Sequence, residues 1–419
     1  MYRFLYSCLI YLAIPLILLR LLKRSIKEEG YRRSIKERFG CFRSERPGEM
    51  VWIHSVSAGE TIAAAPLVQR LLDAGYPCLV TNLTPTGRDR TRVLLGDRVE
   101  NCYAPYDTPG AVRRFLDNNR PRLLVTIDTE LWPNILAACS LRGIPTALVN
   151  GRMAARSATG YARFPLTRPM LQSMALVAVQ TEPHAERFRE LGADETKILV
   201  TGSIKFDGDY TAGHEDRLAR ARELTAGRPV LLGASTHEGE EQALLDSLPA
   251  LEGILPNVLL ILAPRHTHRT DQVRKQCQSS GCQPRCLSET TRLENADRVL
   301  ILDVMGQLES YFPVTRVAFI GGSLIPVGGH NLLEAVRARA GVIMGPHLDN
   351  VEDITRQFVD RGAMRVVDNS DELREEIMDP MLDEDGLSCM VNAAGSVLDD
   401  NRGSIDRNVE LIVKILEVE

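Results

Sequence analysis

At 419 residues the chain is longer than one ordinary hydrophobic core can serve, so two domains are expected. With 44% hydrophobic and 25% charged residues it folds as a globular body, which excludes both a disordered chain and a wholly membrane-embedded one. A formal net charge of -5 excludes general attraction to nucleic acid, and nine scattered cysteines, an odd number, suit reduced thiols better than a disulfide scaffold.

The first element is apolar. Phe4–Leu19 runs sixteen residues without a charge, and Leu21 and Leu22 extend it past Arg20. That is close to the roughly 20 residues of a membrane span, and no small-x-small cleavage site follows it. Residues 1–22 are therefore expected to be an uncleaved anchor, either crossing the bilayer or lying in its interface. Residues 23–50 form a basic juxtamembrane segment. From Arg20 to Arg46 there are ten Lys/Arg against four Glu, a bias expected to leave the body on the cytoplasmic side of the membrane.

Short β-rich runs then alternate with helical patterns, the mark of a doubly wound α/β domain. Val51–Ser57, Cys78–Thr84, Leu123–Asp128, Thr146–Asn150, Leu176–Thr181 and Ile198–Gly202 each read as a buried parallel strand. After a polar, helix-like stretch from Phe206 to Gly227 the pattern restarts with Val230–Ala234, Val258–Ala263, Val299–Asp303, Val317–Gly321 and Val342–Met344. The division expected is a first Rossmann-like domain over 51–205, a second over 206–400 and a C-terminal helix over 401–419. Two such domains facing each other leave a cleft where the carboxyl ends of both sheets converge, the default position for a site.

The loops that follow these strands carry the chemistry. Val51–Glu60 passes from strand to helix through Ala58 and Gly59, leaving Glu60 in the first turn. A glutamate there stabilises the helix dipole, and it is also placed to act as a general base. Thr84–Arg88 and Thr126–Asn134 supply Arg88, Asp128 and Glu130 at the same mouth, with Trp132 as wall or core. In the second domain Ala234–Glu241 follows one strand and Ala263–His266 another, offering Ser235, Thr236 and Arg265 as hydrogen-bond donors to a phosphate or carboxylate. The segment Phe319–Glu334 takes a strand into a loop with two glycine pairs, Gly321/Gly322 and Gly328/Gly329, and then into a helix expected to open near His330. Glycines admit close backbone approach, and a helix start offers free N–H groups to a phosphate, with Glu334 able to hold a ribose. A tight turn with a capping glutamate is the plainer account. Cys277, Cys282 and Cys286 lie near His266 and His268 in sequence but lack paired C-x-x-C spacing, so free thiols are expected rather than zinc.

Taken together, these loops resemble those of the bacterial 3-deoxy-D-manno-octulosonic acid (Kdo) transferases, inverting enzymes of the GT-B architecture, over essentially the whole chain. The segments that carry the resemblance are Gly30–Arg32, Glu37–Gly40, His54–Glu60, Thr84–Arg88, Thr129–Asn134, Gly202–Asp207, Ala234–Glu241, Pro264–His266 and Gly321–Glu334. The resemblance implies transfer of Kdo from CMP-Kdo to a lipid A precursor in the membrane, with no metal or other cofactor. It implies Glu60 as the base, and Arg88, Glu130 and Lys205 as groups serving the acceptor or the sugar acid. It places CMP on Ser235, Pro264, Arg265, Met305, Gly306, Gly328, Gly329, Asn331 and Glu334. The chain departs from the family pattern at Asp128, where glutamate is usual, at Gln307, again in place of glutamate, and at Leu332 and Ala335, in place of prolines. Alternatives are a GT-B enzyme for a UDP-sugar, a metal-dependent transferase using Asp207 and Asp209 as a D-x-D motif, and a non-catalytic nucleotide sensor. The last would have no use for Glu60.

Overall fold

The computed structural model describes residues 1–26, 29–208 and 213–417. Lys27 of the basic stretch and Asp209 of the D-x-D alternative lie outside them. The chain forms two compact units, Met1–Asp209 with Asn401–Glu419, and Tyr210–Asp400.

The first unit is built on seven strands: β1 (Val51–His54), β2 (Cys78–Asn82), β3 (Glu100–Tyr103), β4 (Leu123–Ile127), β5 (Thr146–Gly151), β6 (Leu176–Val179) and β7 (Ile198–Val200). All pair in parallel, in the order β3-β2-β1-β4-β5-β6-β7. Helices cover both faces, so β1, β2, β4, β5 and β6 are buried along their whole length and read as nearly unbroken apolar runs. β3 escapes the sequence pattern because Glu100 and Asn101 begin it at the sheet edge, half exposed. Five of the six expected strands overran at their carboxyl ends, whereas β5 runs one residue beyond expectation, to Gly151. β1 stops at His54 because Ser57 caps the next helix, Ala58–Asp73.

The second unit repeats the plan with β8 (Val230–Thr236), β9 (Leu259–Pro264), β10 (Pro284–Cys286), β11 (Val299–Ile301), β12 (Val317–Ile320), β13 (Gly341–Met344) and β14 (Arg365–Val366). Its parallel order is β10-β11-β9-β8-β12-β13-β14. β10 and β14, at the two edges, are three and two residues long, too short for any periodicity. The central reversal of strand order falls between β1 and β4 in the first sheet and between β8 and β12 in the second, where β10 also lies outside β11, and ligands of open α/β sheets bind at such switch points.

The C-terminal helix Ser404–Glu417 returns to the first unit, burying Ile405, Ile412 and Leu416 against Ala64, Val68 and Leu71. Asp207 fixes this return by accepting the Gly403 and Ile405 N–H groups at 2.9 and 2.8 Å, a structural duty for the first carboxylate of the D-x-D alternative.

The N-terminal helix Tyr2–Ser25 is the one helix among the described residues long and apolar enough to cross a membrane, with mean hydropathy 2.1 over its most apolar window. Phe4, Leu9, Leu12, Leu16 and Leu19 are exposed along it. It is not detached from the first unit. Ser7 is buried and donates to the Asn134 side chain at 3.2 Å, Tyr11 Oη accepts the Gly110 N–H at 3.2 Å, and the Tyr6 hydroxyl reaches Asp107. The segment after it is clamped too. Gly40, at φ +80°, sits where a Cβ would lie 2.0 Å from the Ala111 carbonyl oxygen, and buried Arg38 lies over the Tyr103 ring at 3.9 Å while donating to the Leu83 carbonyl.

Candidate active site

In the first unit the site grows from the turn after β1. Asn82, buried at the end of β2, donates to the Ser55 carbonyl at 2.9 Å and to Thr61 Oγ1 at 3.0 Å, fixing where strand gives way to helix. Ser57 then caps the helix, and Glu60 reaches back. Glu60 Oε1 accepts the Ser57 hydroxyl at 2.8 Å and Oε2 accepts the Val56 N–H at 2.7 Å. This is a capping-box arrangement, so the plainer role read from the sequence is present in the structure. It also makes the carboxylate rigid while each oxygen keeps a lone pair.

The loop after β4, the strand beside β1, brings the other carboxylates to Glu60. Glu130 accepts Trp132 Nε1–H at 2.8 Å, and burial, then the charge of Glu60, push its pKa up to about 7. Burial raises Glu60 as well, against the hydrogen bonds from Ser57 and Val56, and Asp128 adds to the rise. Of the two glutamates Glu60 has more hydrogen bonds to its charged form, which favours negative charge on Glu60 over Glu130. Asp128 sits at φ 58°, a conformation that costs a non-glycine residue energy and tends to be kept at functional sites. Its Oδ1 accepts Asn150 Nδ2 at 2.5 Å, and Asn150 Oδ1 in turn accepts the Ile204 N–H at 3.1 Å. That chain fixes the backbone beside Lys205 relative to the acidic loop. Asn150, also at positive φ, was not among the residues singled out from sequence.

Arg88 is placed differently from the acceptor-serving role that the family resemblance implied. Its guanidinium is engaged with Glu37 at 2.9 and 3.3 Å, lies 4.8 Å from the Tyr103 ring centre, and is only 12% exposed. As it stands, Arg88 ties the post-anchor segment to the sheet edge.

In the second unit the four loops expected to hold CMP follow β11, β9, β8 and β12, which are consecutive neighbours in the sheet. Met305 and Gly306 are exposed after β11; Pro264 ends β9 and leaves Arg265 exposed, its N–H bonded to the Thr236 carbonyl at 2.9 Å. Ser235 sits at φ 55° where the register of β8 shifts. Glu334 is half-buried in the first turn of the helix after the glycine loop, its pKa raised by burial and then by Glu309.

Two expectations about the glycine loop change. The helix runs only over Leu333–Arg337, five residues, rather than opening near His330, and the Asn331 side chain itself accepts the Leu333 N–H at 3.1 Å. The loop amides are also engaged. Buried Glu240 accepts the N–H groups of Gly322, Ser323, Leu324 and His237 at 2.8, 3.1, 3.0 and 2.9 Å, and Gly329 donates to the Gly322 carbonyl at 2.7 Å. The loop thus resembles an anion nest already filled by the protein's own carboxylate, and Gly321 must lack a side chain because a Cβ would lie 2.5 Å from the Ser235 carbonyl oxygen. Glu240 was not singled out from sequence; only the fold brings the residue beneath the loop. Around Arg265 stand His237, His266 and His330, whose basicity is lowered by burial first and then by the neighbouring positive groups, so the fixed positive charge at this rim is that of Arg265.

Cys277 and Cys286 are buried thiols, and among the described residues no group of three His, Cys, Asp or Glu is placed to hold a metal ion.

Comparison with known proteins agrees with this architecture. Residues 33–208 match the family model described as 3-deoxy-D-manno-octulosonic-acid transferase (kdotransferase). The chain is 35% identical to the 3-deoxy-D-manno-octulosonic acid transferase of Haemophilus influenzae over 426 residues, covering 100% of this chain and 99% of that one. It is 36% identical to that of Bordetella pertussis over 369 residues, covering 83% and 84%. A glycosyltransferase structure from Rickettsia africae, 14% identical, matches with a TM-score of 0.58 over 90% of this chain and 100% of that one, which shows the shared GT-B-like fold. With full-length identity of this order and both switch-point loops in place, the chain belongs to the 3-deoxy-D-manno-octulosonic acid transferase family and is a glycosyltransferase.

Proposed function

We propose that the chain transfers Kdo from CMP-Kdo to the lipid A precursor lipid IVA, with inversion at the anomeric carbon, in lipopolysaccharide biosynthesis. The observation that carries this reading is the electrostatically coupled pair of carboxylates, Glu60 and Glu130, at the switch point of the first sheet. An acceptor hydroxyl is a poor nucleophile until its proton leaves, and Glu60, rigid and anionic, takes that proton as the oxygen attacks. The bond to CMP breaks with its electron pair going to the phosphate, so negative charge grows on CMP. Arg265 offsets this charge. Met305, Gly306, Pro264, Ser235, Gly328, Gly329 and Asn331 line the rim that holds the nucleotide, and Glu334 accepts ribose hydroxyls. Lys205 serves the sugar acid or the acceptor, and Arg88 can do so only by leaving Glu37.

The acceptor is a membrane glycolipid, and the N-terminal helix with the basic segment behind it brings the first unit to the inner-membrane surface from the cytoplasmic side. No divalent metal is needed in this scheme, because fixed cationic side chains supply the field at the leaving phosphate. Purified protein, CMP-Kdo and lipid IVA, with product mass and anomeric configuration read out, test the whole reading; no adduct of one Kdo mass would overturn it. A UDP-sugar donor is the competing reading, and tighter binding of UDP than of CMP would favour it. Activity abolished by EDTA and restored by magnesium would overturn metal independence.

A further inference from the structure

His237 follows β8 and His330 follows β12, neighbouring strands at the rim proposed to hold CMP. Their Nε2 atoms are 2.9 Å apart, their ring centroids 5.2 Å apart, and their planes differ by 12°. Rings lying face to face cannot combine these values. The centroid separation exceeds the N···N distance by the two ring radii, which happens only when the rings lie end to end. The two imidazoles are therefore joined by an in-line N–H···N hydrogen bond, and one ring must donate while the other accepts.

This geometry fixes how many protons the pair can hold. In the neutral pair one ring carries Nε2–H and the other Nδ1–H. One added proton goes to the free Nδ1 of the donating ring, making it an imidazolium and strengthening the bond. A second would set two N–H groups head to head at 2.9 Å and break it. The pair thus has room for one proton.

The groups facing the pair decide whether that proton is present. Arg265, His266 and Arg269 lie on the loop after β9; Glu241, at the start of the helix Glu240–Glu252, is engaged by Arg269 at 2.7 and 3.3 Å. Burial, then Arg265, His237 and His266, hold His330 down to about 4, and burial, then Arg269, lower His237. An anion placed against Arg265 offsets the largest of the charge effects on His330 and so raises the basicity of the pair, against the burial that lowers it.

We propose that His237 and His330 form a one-proton store linked to the donor site, so that binding a nucleoside monophosphate against Arg265 draws a proton onto the pair. The inference rests on the CMP-binding reading above and deepens it. By linkage, the affinity for the nucleotide then rises as the pH falls, by at most about tenfold per pH unit.

Calorimetry of CMP binding to the full chain, repeated in buffers of different ionisation enthalpy, counts the protons taken up. The CMP phosphate itself titrates near pH ~6 but contributes equally to every variant, so the difference between variants is the readout. Gln at both positions keeps a hydrogen bond between the side chains and cannot titrate. The parent should take up more protons than the His237→Gln/His330→Gln double variant, by on the order of half a proton at about pH 6. His268→Gln, outside the pair, should behave as the parent. Equal proton counts for parent and double variant between about pH 5 and 8, with CMP bound by both, would overturn the inference while leaving the CMP reading intact. Failure of the parent to bind CMP would overturn both. If only the double variant fails to bind, each single Gln variant must change the count, and parent-like counts from both would overturn the inference.

Discussion

Glu60 and Glu130 share one patch of negative potential, and the charge on Glu60 is the largest influence after burial in holding Glu130 at about 7. Two carboxylates that follow the neighbouring strands β1 and β4 thereby differ in their hold on a proton. A division of this kind lets one group act as base while the other stays protonated.

Replacing Glu60 by Gln should lower turnover by about 10²–10⁴-fold, the usual worth of general-base help. Affinity for CMP should hardly change, because the positions proposed for the nucleotide lie in the other unit. Loss of the charged cap should cost about 0.5–1 kcal/mol, read from a denaturant melt. Near-parent turnover combined with a larger stability loss would leave Glu60 as a helix cap alone.

Glu130 gives a pH signature in stability. Its pKa rises from an ordinary 4.5 to about 7 on folding, so the folded protein holds the proton more tightly than the unfolded chain. The stabilisation is fully present below about 4.5 and is lost as the pH climbs through about 7. The melting temperature of the parent should therefore fall over that range relative to Glu130→Gln, which cannot ionise. Parallel pH profiles would refute the coupling.

Glu240→Gln tests the filled nest beneath the glycine loop. An amide turns N–H toward N–H where a carboxylate accepted four bonds, and each hydrogen bond to a charged acceptor contributes about 1.5–3 kcal/mol. A loss of roughly 2–4 kcal/mol in the second unit, with weakened CMP binding, is expected. If stability holds and binding tightens, the nest amides are available to the donor phosphate after all.

Arg88→Lys separates an ion-pairing role from an acceptor-binding one. Lys cannot reproduce the two-point contact with Glu37, so a stability loss of about 1–2 kcal/mol should accompany an unchanged KM for the acceptor. A raised KM at parent stability would return Arg88 to the acceptor site.

Tyr6→Phe removes one polar tie between the N-terminal helix and the first unit. Burial raises Asp107 to about 6, while the Tyr6 hydroxyl and the Asn134 and Ile135 N–H groups work against that rise. Without the hydroxyl the melting curve at neutral pH should shift by about 0.5–1.5 kcal/mol toward instability, with membrane partition unchanged. Removal of residues 1–22 should cost more than the single variant, since it also exposes Asn134 where Ser7 covered it. An undisturbed melt for the truncated chain would show that the helix is only a tether.

Most of the architecture was legible in the sequence because it depends on short-range patterning. Buried parallel strands such as Val51–His54 and Leu123–Ile127 are apolar at every position, and glycine pairs mark loops that need close approach. The spacing of Ser57 and Glu60 alone states a capping box, and Phe4–Leu19 alone states an apolar segment. What the sequence could not contain is who meets whom across long separations. Glu240 lies 82 residues from the Gly322 amide it accepts, His237 lies 93 from His330, and Arg88 lies 51 from the Glu37 that engages it. Those partnerships follow from strand order, which sets neighbouring loops side by side whatever their distance along the chain. Edge strands such as Arg365–Val366 were illegible for the same reason: two residues carry no period, and only the adjacent β13 makes them a strand. Residue types and local turns are written in the chain; whether a carboxylate is a base, a cap or the filling of an anion nest is decided by the groups that the tertiary fold brings to it.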